Sequence, residues 1–89
     1  MRNKMFVVNC KEGFHLRPAQ ILVERMMPFQ SQIEIQKAGE EKADAKSILG
    51  LMSLGVQTGE KVNVLVDGPD EDQAMNAVEQ LFAANFEEA

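Results

Sequence analysis

Residues 61–82 read KVNVLVDGPDEDQAMNAVEQLF, and the hydrophobic period changes halfway along them. From Lys61 to Asp67, Val62, Val64 and Val66 recur every second residue, which predicts a strand with its valines on one face. Gly68-Pro69 supplies a turn. Asp70 has the chemistry of a helix N-cap, and Glu71 and Asp72 suit the positive end of a helix dipole. Beyond them Ala74, Ala77, Val78, Leu81 and Phe82 fall at i, i+3, i+4, i+7 and i+8, the stripe of a helix with one apolar face. A one-sided strand joined by a short turn to a one-sided helix has to pack helix on sheet.

The same logic extends toward the N-terminus. Ser47 can cap a short helix over Ile48 to Leu54 that Gly55 stops, and Gly59 precedes the strand at Lys61. Ile33 and Ile35 alternate with Gln32, Glu34 and Gln36, a second strand. Ala38-Gly39-Glu40 then reads as a hairpin turn into a short polar strand, Lys42 to Asp44. Met5 to Val8 is a β-branched apolar run and forms the first strand, followed by a loop at Lys11-Glu12-Gly13. Ala19, Leu22, Val23 and Met26 make a helical stripe, with Pro18 in the first turn and Pro28 as terminator, so this helix runs from about His15 to Met27. The order is β-α-β-β-α-β-α. It predicts an α+β fold, an open-faced sandwich in which a four-stranded antiparallel sheet carries three helices on one face and leaves the other in water.

At 89 residues the chain is one domain, 1–89, with no linker, repeat or low-complexity tract. Apolar residues make up 45% and charged residues 26%, a globular balance. The net charge of −5, with Asp70, Glu71, Asp72, Glu79, Glu87 and Glu88 in the last twenty residues, argues against a nucleic acid or an anionic membrane surface as partner. Cys10 is the only cysteine, so no internal disulfide forms, and it reads as a packed or partly exposed thiol. One His and one Cys do not make a metal ligand set. With no signal peptide and no long apolar run, the expectation is a cytoplasmic protein without inserted segments, metal or cofactor.

The chemistry lies in Gly13-Phe14-His15-Leu16-Arg17-Pro18-Ala19. His15 stands where loop becomes helix, beside backbone N–H groups that have no partner within the helix and attract anions. Neutral imidazole is nucleophilic near its ordinary pKa of about 6.5, and Arg17 offers a planar fork for phosphate oxygens. Lys11 and Arg17 against Glu12 make this neighbourhood near neutral or slightly positive in an acidic chain. A covalent phosphohistidine would divide one transfer into two steps. Taken by itself, His-x-Arg-Pro spacing favours a surface histidine at a helix start beside a solvated arginine, since three residues match easily by chance.

The segment as a whole resembles the active-site motif of the HPr family of phosphocarriers, usually written with His-Ala-Arg-Pro-Ala. Ala45-Lys46-Ser47-Ile48-Leu49-Gly50-Leu51-Met52-Ser53-Leu54 is similar to the regulatory serine segment of that family, and Gly59, the Val-rich fourth strand and Gly68-Pro69-Asp70-Glu71 also fit. The resemblance covers essentially the entire chain. It implies the HPr-like fold, and His15 as phosphoryl acceptor through Nδ1 with Arg17 as its electrostatic partner. It also implies enzyme I of the phosphoenolpyruvate-dependent phosphotransferase system as donor, with IIA proteins or domains as acceptors. Ser47 is implied as a regulatory phosphorylation site for HPr kinase/phosphorylase where a lineage has that kinase. Leu16, Gln20, Ile48, Leu49 and Met52 are implied as the docking surface beside His15.

The chain departs from the family pattern at several places. Leu16 replaces the common Ala, Phe14 is bulkier than the usual aliphatic residue, and the turn around Ala38 to Glu41 is one residue longer. That turn and the ending Leu81-Phe82-Ala83-Ala84-Asn85-Phe86 are similar to the nitrogen-related branch, whereas the Ser47 segment is similar to the sugar branch. Other function classes are a co-repressor module acting through phospho-Ser47, and a small enzyme or adaptor of the same topology. The intact His15, Arg17 and Pro18 favour the carrier, and no dyad or cofactor loop supports the enzyme. Helix Ile48 to Leu54 is too short to bury Ile48, Leu49, Leu51, Met52 and Leu54 together, so some should be exposed. Met26 and Met75 read as core and Met27 as helix-edge filler. No second large apolar face is evident, so a monomer is expected.

Overall fold

Val62, Val64 and Val66 are buried, while Asn63 and Leu65 between them remain half-exposed. That alternation defines an inner and an outer face for the whole sheet. The computed structural model describes residues 1–9, 11, 13–37, 39 and 41–87. Cys10, Glu12, Ala38, Glu40 and Glu88 lie outside the described residues, and with them the thiol reading, most of the hairpin turn and part of the acidic tail. The elements are β1 (Arg2–Val7), α1 (Leu16–Met26), β2 (Gln32–Lys37), β3 (Lys42–Asp44), α2 (Ile48–Leu54), β4 (Lys61–Asp67) and α3 (Glu71–Ala83). A single 3₁₀ turn, Asn85–Glu87, follows.

The sheet order is β1-β4-β2-β3, with every neighbouring pair antiparallel. β4 therefore lies between β1 and β2, and β2 lies between β4 and β3. Each helical crossover, β1-α1-β2 and β3-α2-β4, leaves a gap of one strand that the other unit fills, so two split β-α-β units interlock. The register sets Ile33 opposite Val66 and Ile35 opposite Val64, aligning the apolar rows of β2 and β4 under the helices. Leu22 and Met26 of α1, Leu51 of α2 and Val78 and Leu81 of α3 close the core from above. Burial of each such side chain contributes about 1.5–3 kcal/mol.

β1 differs from the expected Met5 to Val8. It begins at Arg2 and ends at Val7, and Met5 and Val7 face solvent. The extension is polar because β1 is an edge strand whose inner face meets acidic residues of α3. Arg2 Nε lies 3.1 Å from Asp72 and Lys4 Nζ 3.1 Å from Glu79. Phe6 is the apolar member of that row and stacks on Phe82 at 4.4 Å. Hydrophobic periodicity does not detect a strand whose inward positions are cations lying along an edge.

Asp70 also departs from its expected role. It is the N-cap residue of α3 by position, but its side chain makes no capping hydrogen bond. The carboxylate instead accepts from the backbone N–H groups of Gln30 (2.8 Å) and Ser31 (2.9 Å) and from the Ser31 hydroxyl. These bonds, that of Ser31 foremost, hold its pKa below the ordinary value of 3.8. Ser31, fully buried between α1 and β2, has its polar groups satisfied by this long-range contact.

Candidate functional site

The chain leaves the sheet at Val8, which is buried and bonded in both directions: its N–H donates to Glu60 O (2.9 Å) and its carbonyl accepts from Gly59 N–H (2.7 Å). Gly13 then adopts φ +71°, in the left-handed region. A Cβ there would stand 2.2 Å from the Val56 carbonyl oxygen and 2.7 Å from Gln57 Cα, so only glycine lets the two backbones touch. Phe14 N–H donates to the same Val56 oxygen at 3.0 Å. Its ring is buried against Phe82 (6.3 Å) and edge-on to Phe86 (5.4 Å, 89°).

His15 follows at the N-cap of α1. Its backbone is extended (φ −81°, ψ −171°), its N–H donates to Gly13 O (2.9 Å) and its carbonyl takes the first helical bond, from Ala19 N–H at 3.2 Å. The imidazole makes no capping hydrogen bond, and His15 is half-exposed. The first turn of α1 contains no acidic residue, and it carries Arg17. The positive end of the helix therefore meets no carboxylate from its own first turn, and Arg17 is exposed beside it. Pro18 and Ala19 are buried and anchor the turn below. An anion reaching His15 would encounter an imidazole, the N-terminal end of a helix and a guanidinium within three consecutive residues.

Ser47 caps α2 as expected. Its hydroxyl oxygen accepts from Gly50 N–H at 3.1 Å, and Gly55 ends the helix in the left-handed conformation (φ 68°). A Cβ on Gly50 would come within 3.2 Å of the Ser47 oxygen, so the glycine keeps this cap unobstructed. Lys37 Nζ donates to Leu54 O and Gly55 O at 3.3 Å each, a closure of the C-terminus of α2 that no local pattern foretells. Lys46 Nζ donates to Phe29 O at 2.6 Å, tying the cap to the end of α1.

Of the expected docking residues, Leu49 (79% exposed), Leu16 (56%) and Met52 (42%) are open to solvent, Gln20 is exposed and Ile48 is half-buried. Leu51 and Leu54 take the buried positions of α2. α1 and α2 pack against each other, so the exposed apolar residues stand on two neighbouring helices. Met26 and Met75 are core, and Met27 is exposed at the end of α1. Among the described residues, no group of three His, Cys, Asp or Glu side chains could hold a metal ion, and no helix is long and apolar enough to cross a membrane.

The molecule is thus an open-faced β-α-β-β-α-β-α sandwich with an extended histidine at the start of α1. Residues 3–84 match the family model described as the PTS HPr component phosphorylation site. The phosphocarrier protein HPr of Lysinibacillus sphaericus is 42% identical over 82 residues, 92% of each chain. The crystal structure of HPr-C-His from Thermoanaerobacter tengcongensis superposes with a TM-score of 0.93 at 38% identity, over 100% of this chain and 99% of that one. The Bacillus subtilis catabolite repression protein Crh, described as a swapped-domain dimer, is 37% identical over 98% of this chain and 94% of its own, with a TM-score of 0.68. The chain belongs to the HPr family of phosphocarrier proteins of the phosphotransferase system.

Proposed function

We propose that the chain takes a phosphoryl group from enzyme I on Nδ1 of His15 and passes it to IIA proteins or domains, acting as a single cytoplasmic domain. The imidazole lone pair attacks phosphorus while the bond from phosphorus to the donor atom breaks. In the second step the acceptor's nucleophile displaces His15 in the same sense. Arg17 and the start of α1 stabilise the phosphate oxygens in both steps. The observation that carries this reading is the position of His15 as an extended N-cap residue ahead of a first turn that has Arg17 and no carboxylate. Leu16, Gln20, Ile48, Leu49 and Met52 serve as the docking surface for donor and acceptor alike, and the flexible thioether of Met52 suits contact with more than one partner. The sugar branch is favoured by the Ser47 segment.

Phosphorylation of Ser47 regulates this cycle. A phosphate there adds nearly two negative charges at a helix start, which the helix tolerates, while repelling acidic partner surfaces. A second reading is a co-repressor module working through phospho-Ser47; the likeness to Crh favours it. Two variants separate the readings. Under the carrier reading, His15→Ala takes no phosphoryl group from enzyme I and Ser47→Ala takes it as the unaltered protein does. Retained acceptance by His15→Ala would sink the assignment of His15.

A further inference from the structure

Phe6, Phe14, Phe82 and Phe86 form one aromatic cluster. Phe86 meets Phe82 at 4.8 Å and 69°, and Phe14 at 5.4 Å and 89°, both edge-to-face. Phe86 comes after α3 has ended, yet its side chain is only 1% exposed. It reaches this position because Asn85 and Phe86 both adopt left-handed backbone conformations, φ 50° and 54°. Two consecutive non-glycine residues hold such angles only where the surroundings over-determine them, and strain of this kind concentrates at functional sites. Among the side chains around Phe86 is Phe14, the residue preceding His15.

The active-site loop is thus gripped from two sides. On one side Gly13 lies flush on the Val56–Gln57 backbone and Phe14 N–H is bonded to Val56 O. On the other the Phe14 ring rests on Phe86 and Phe82. His15 hangs from this clamp through its N–H to Gly13 O. We infer that Phe86 is a positioning residue: the strained C-terminal turn wedges its ring under Phe14 and so fixes the extended backbone of His15 and the orientation of the first N–H groups of α1. The inference rests on the proposed carrier function only for its rate readout.

The test compares Phe86→Ala with Phe86→Leu and with Val66→Ala, which empties a fully buried position of β4 opposite Arg2, at the other end of β1 from Phe6. Each folded variant is read by NMR titration of the His15 imidazole and by the initial rate of phosphoryl acceptance from enzyme I. Phe86→Ala is expected to move the His15 titration midpoint and slow acceptance about tenfold, as a misplaced reacting group does. Phe86→Leu, which refills the space, is expected to recover most of both, and Val66→Ala to lose stability while keeping both as in the unaltered protein. If Phe86→Ala does not fold, Phe86→Val, apolar but ringless, takes its place in the comparison. Unchanged titration and rate in Phe86→Ala, or in Phe86→Val where that takes its place, or a Val66→Ala shift of equal size, would overturn the inference. If the unaltered protein accepts no phosphoryl group, the carrier reading fails separately, and the titration alone still decides the role of Phe86.

Discussion

At Gly13 two independent constraints coincide: a left-handed φ of +71° and a backbone oxygen 2.2 Å from where a Cβ would stand. Gly13→Ala should therefore destabilise by about 1–3 kcal/mol from backbone strain alone, with further loss as the loop is pushed off Val56, and urea midpoints measure it. An unchanged midpoint would mean that the loop has another conformation. Asp70 gives a pH signature. Its folded-state pKa lies below 3.8 because of Ser31 and Gln30, so its contribution is complete well above that value and is lost as pH falls through the lowered one. Asp70→Asn should lower stability at pH 7 and flatten the acid limb of a stability–pH profile below pH 4, while leaving its shape at pH 6–8 alone. The position of His15 and Arg17 at the start of α1 was legible because Pro18 and the apolar stripe from Ala19 mark that start; their candidate role came from the family resemblance, not from residue types alone. The true partners of Asp70 were not legible, since they lie 39 and 40 positions away, and local pattern offers a cap in their place. Phe86 was hidden for a related reason: its spacing merely continues the helical stripe, whereas α3 ends at Ala83 and a left-handed turn carries the ring to Phe14, far away in sequence.

Elements with strong internal periodicity were readable to their ends. β4 at Lys61–Asp67 and α2 at Ile48–Leu54 have the expected bounds, because valine alternation and a Ser47–Gly55 pair of caps both act locally. β1 was short by three residues, since an edge strand needs no apolar row where α3 supplies carboxylates. The cap itself is testable. Ser47→Ala removes an acceptor for Gly50 N–H and should cost about 1 kcal/mol. That lowers Tm by about 4–8 °C in a domain of this size by calorimetry. Phosphoryl acceptance by His15 should stay as it was. On the outer side of the same helix, Leu49→Lys should leave Tm within about 2 °C, as surface changes do, since Leu49 is 79% exposed. It should slow transfer to a IIA domain about tenfold or more by weakening docking, a loss of about 1.4 kcal/mol or more. Undiminished transfer by this variant would remove α2 from the docking surface.

The strand order is the part of the whole molecule that pattern did not reveal. Four strands and three helices on one face follow from one-sided elements, but the insertion of β4 between β1 and β2 is a pairing between distant segments that no local signal encodes. That insertion seats β1 at an edge, held to the rest of the sheet through β4. The monomer expected from the sequence would sediment as a single species near 9.9 kDa across a hundredfold range of concentration. A slowly interconverting species of twice that mass would instead indicate exchange of an element between two copies. The central claim concerns the covalent state of His15 and is tested most directly by intact mass. After incubation with phosphoenolpyruvate and catalytic enzyme I, the protein should gain one phosphoryl group that is lost in acid and kept in base, and His15→Ala should gain none. No gain in the folded protein with a cognate enzyme I, or an acid-stable gain that persists in His15→Ala, would contradict the account.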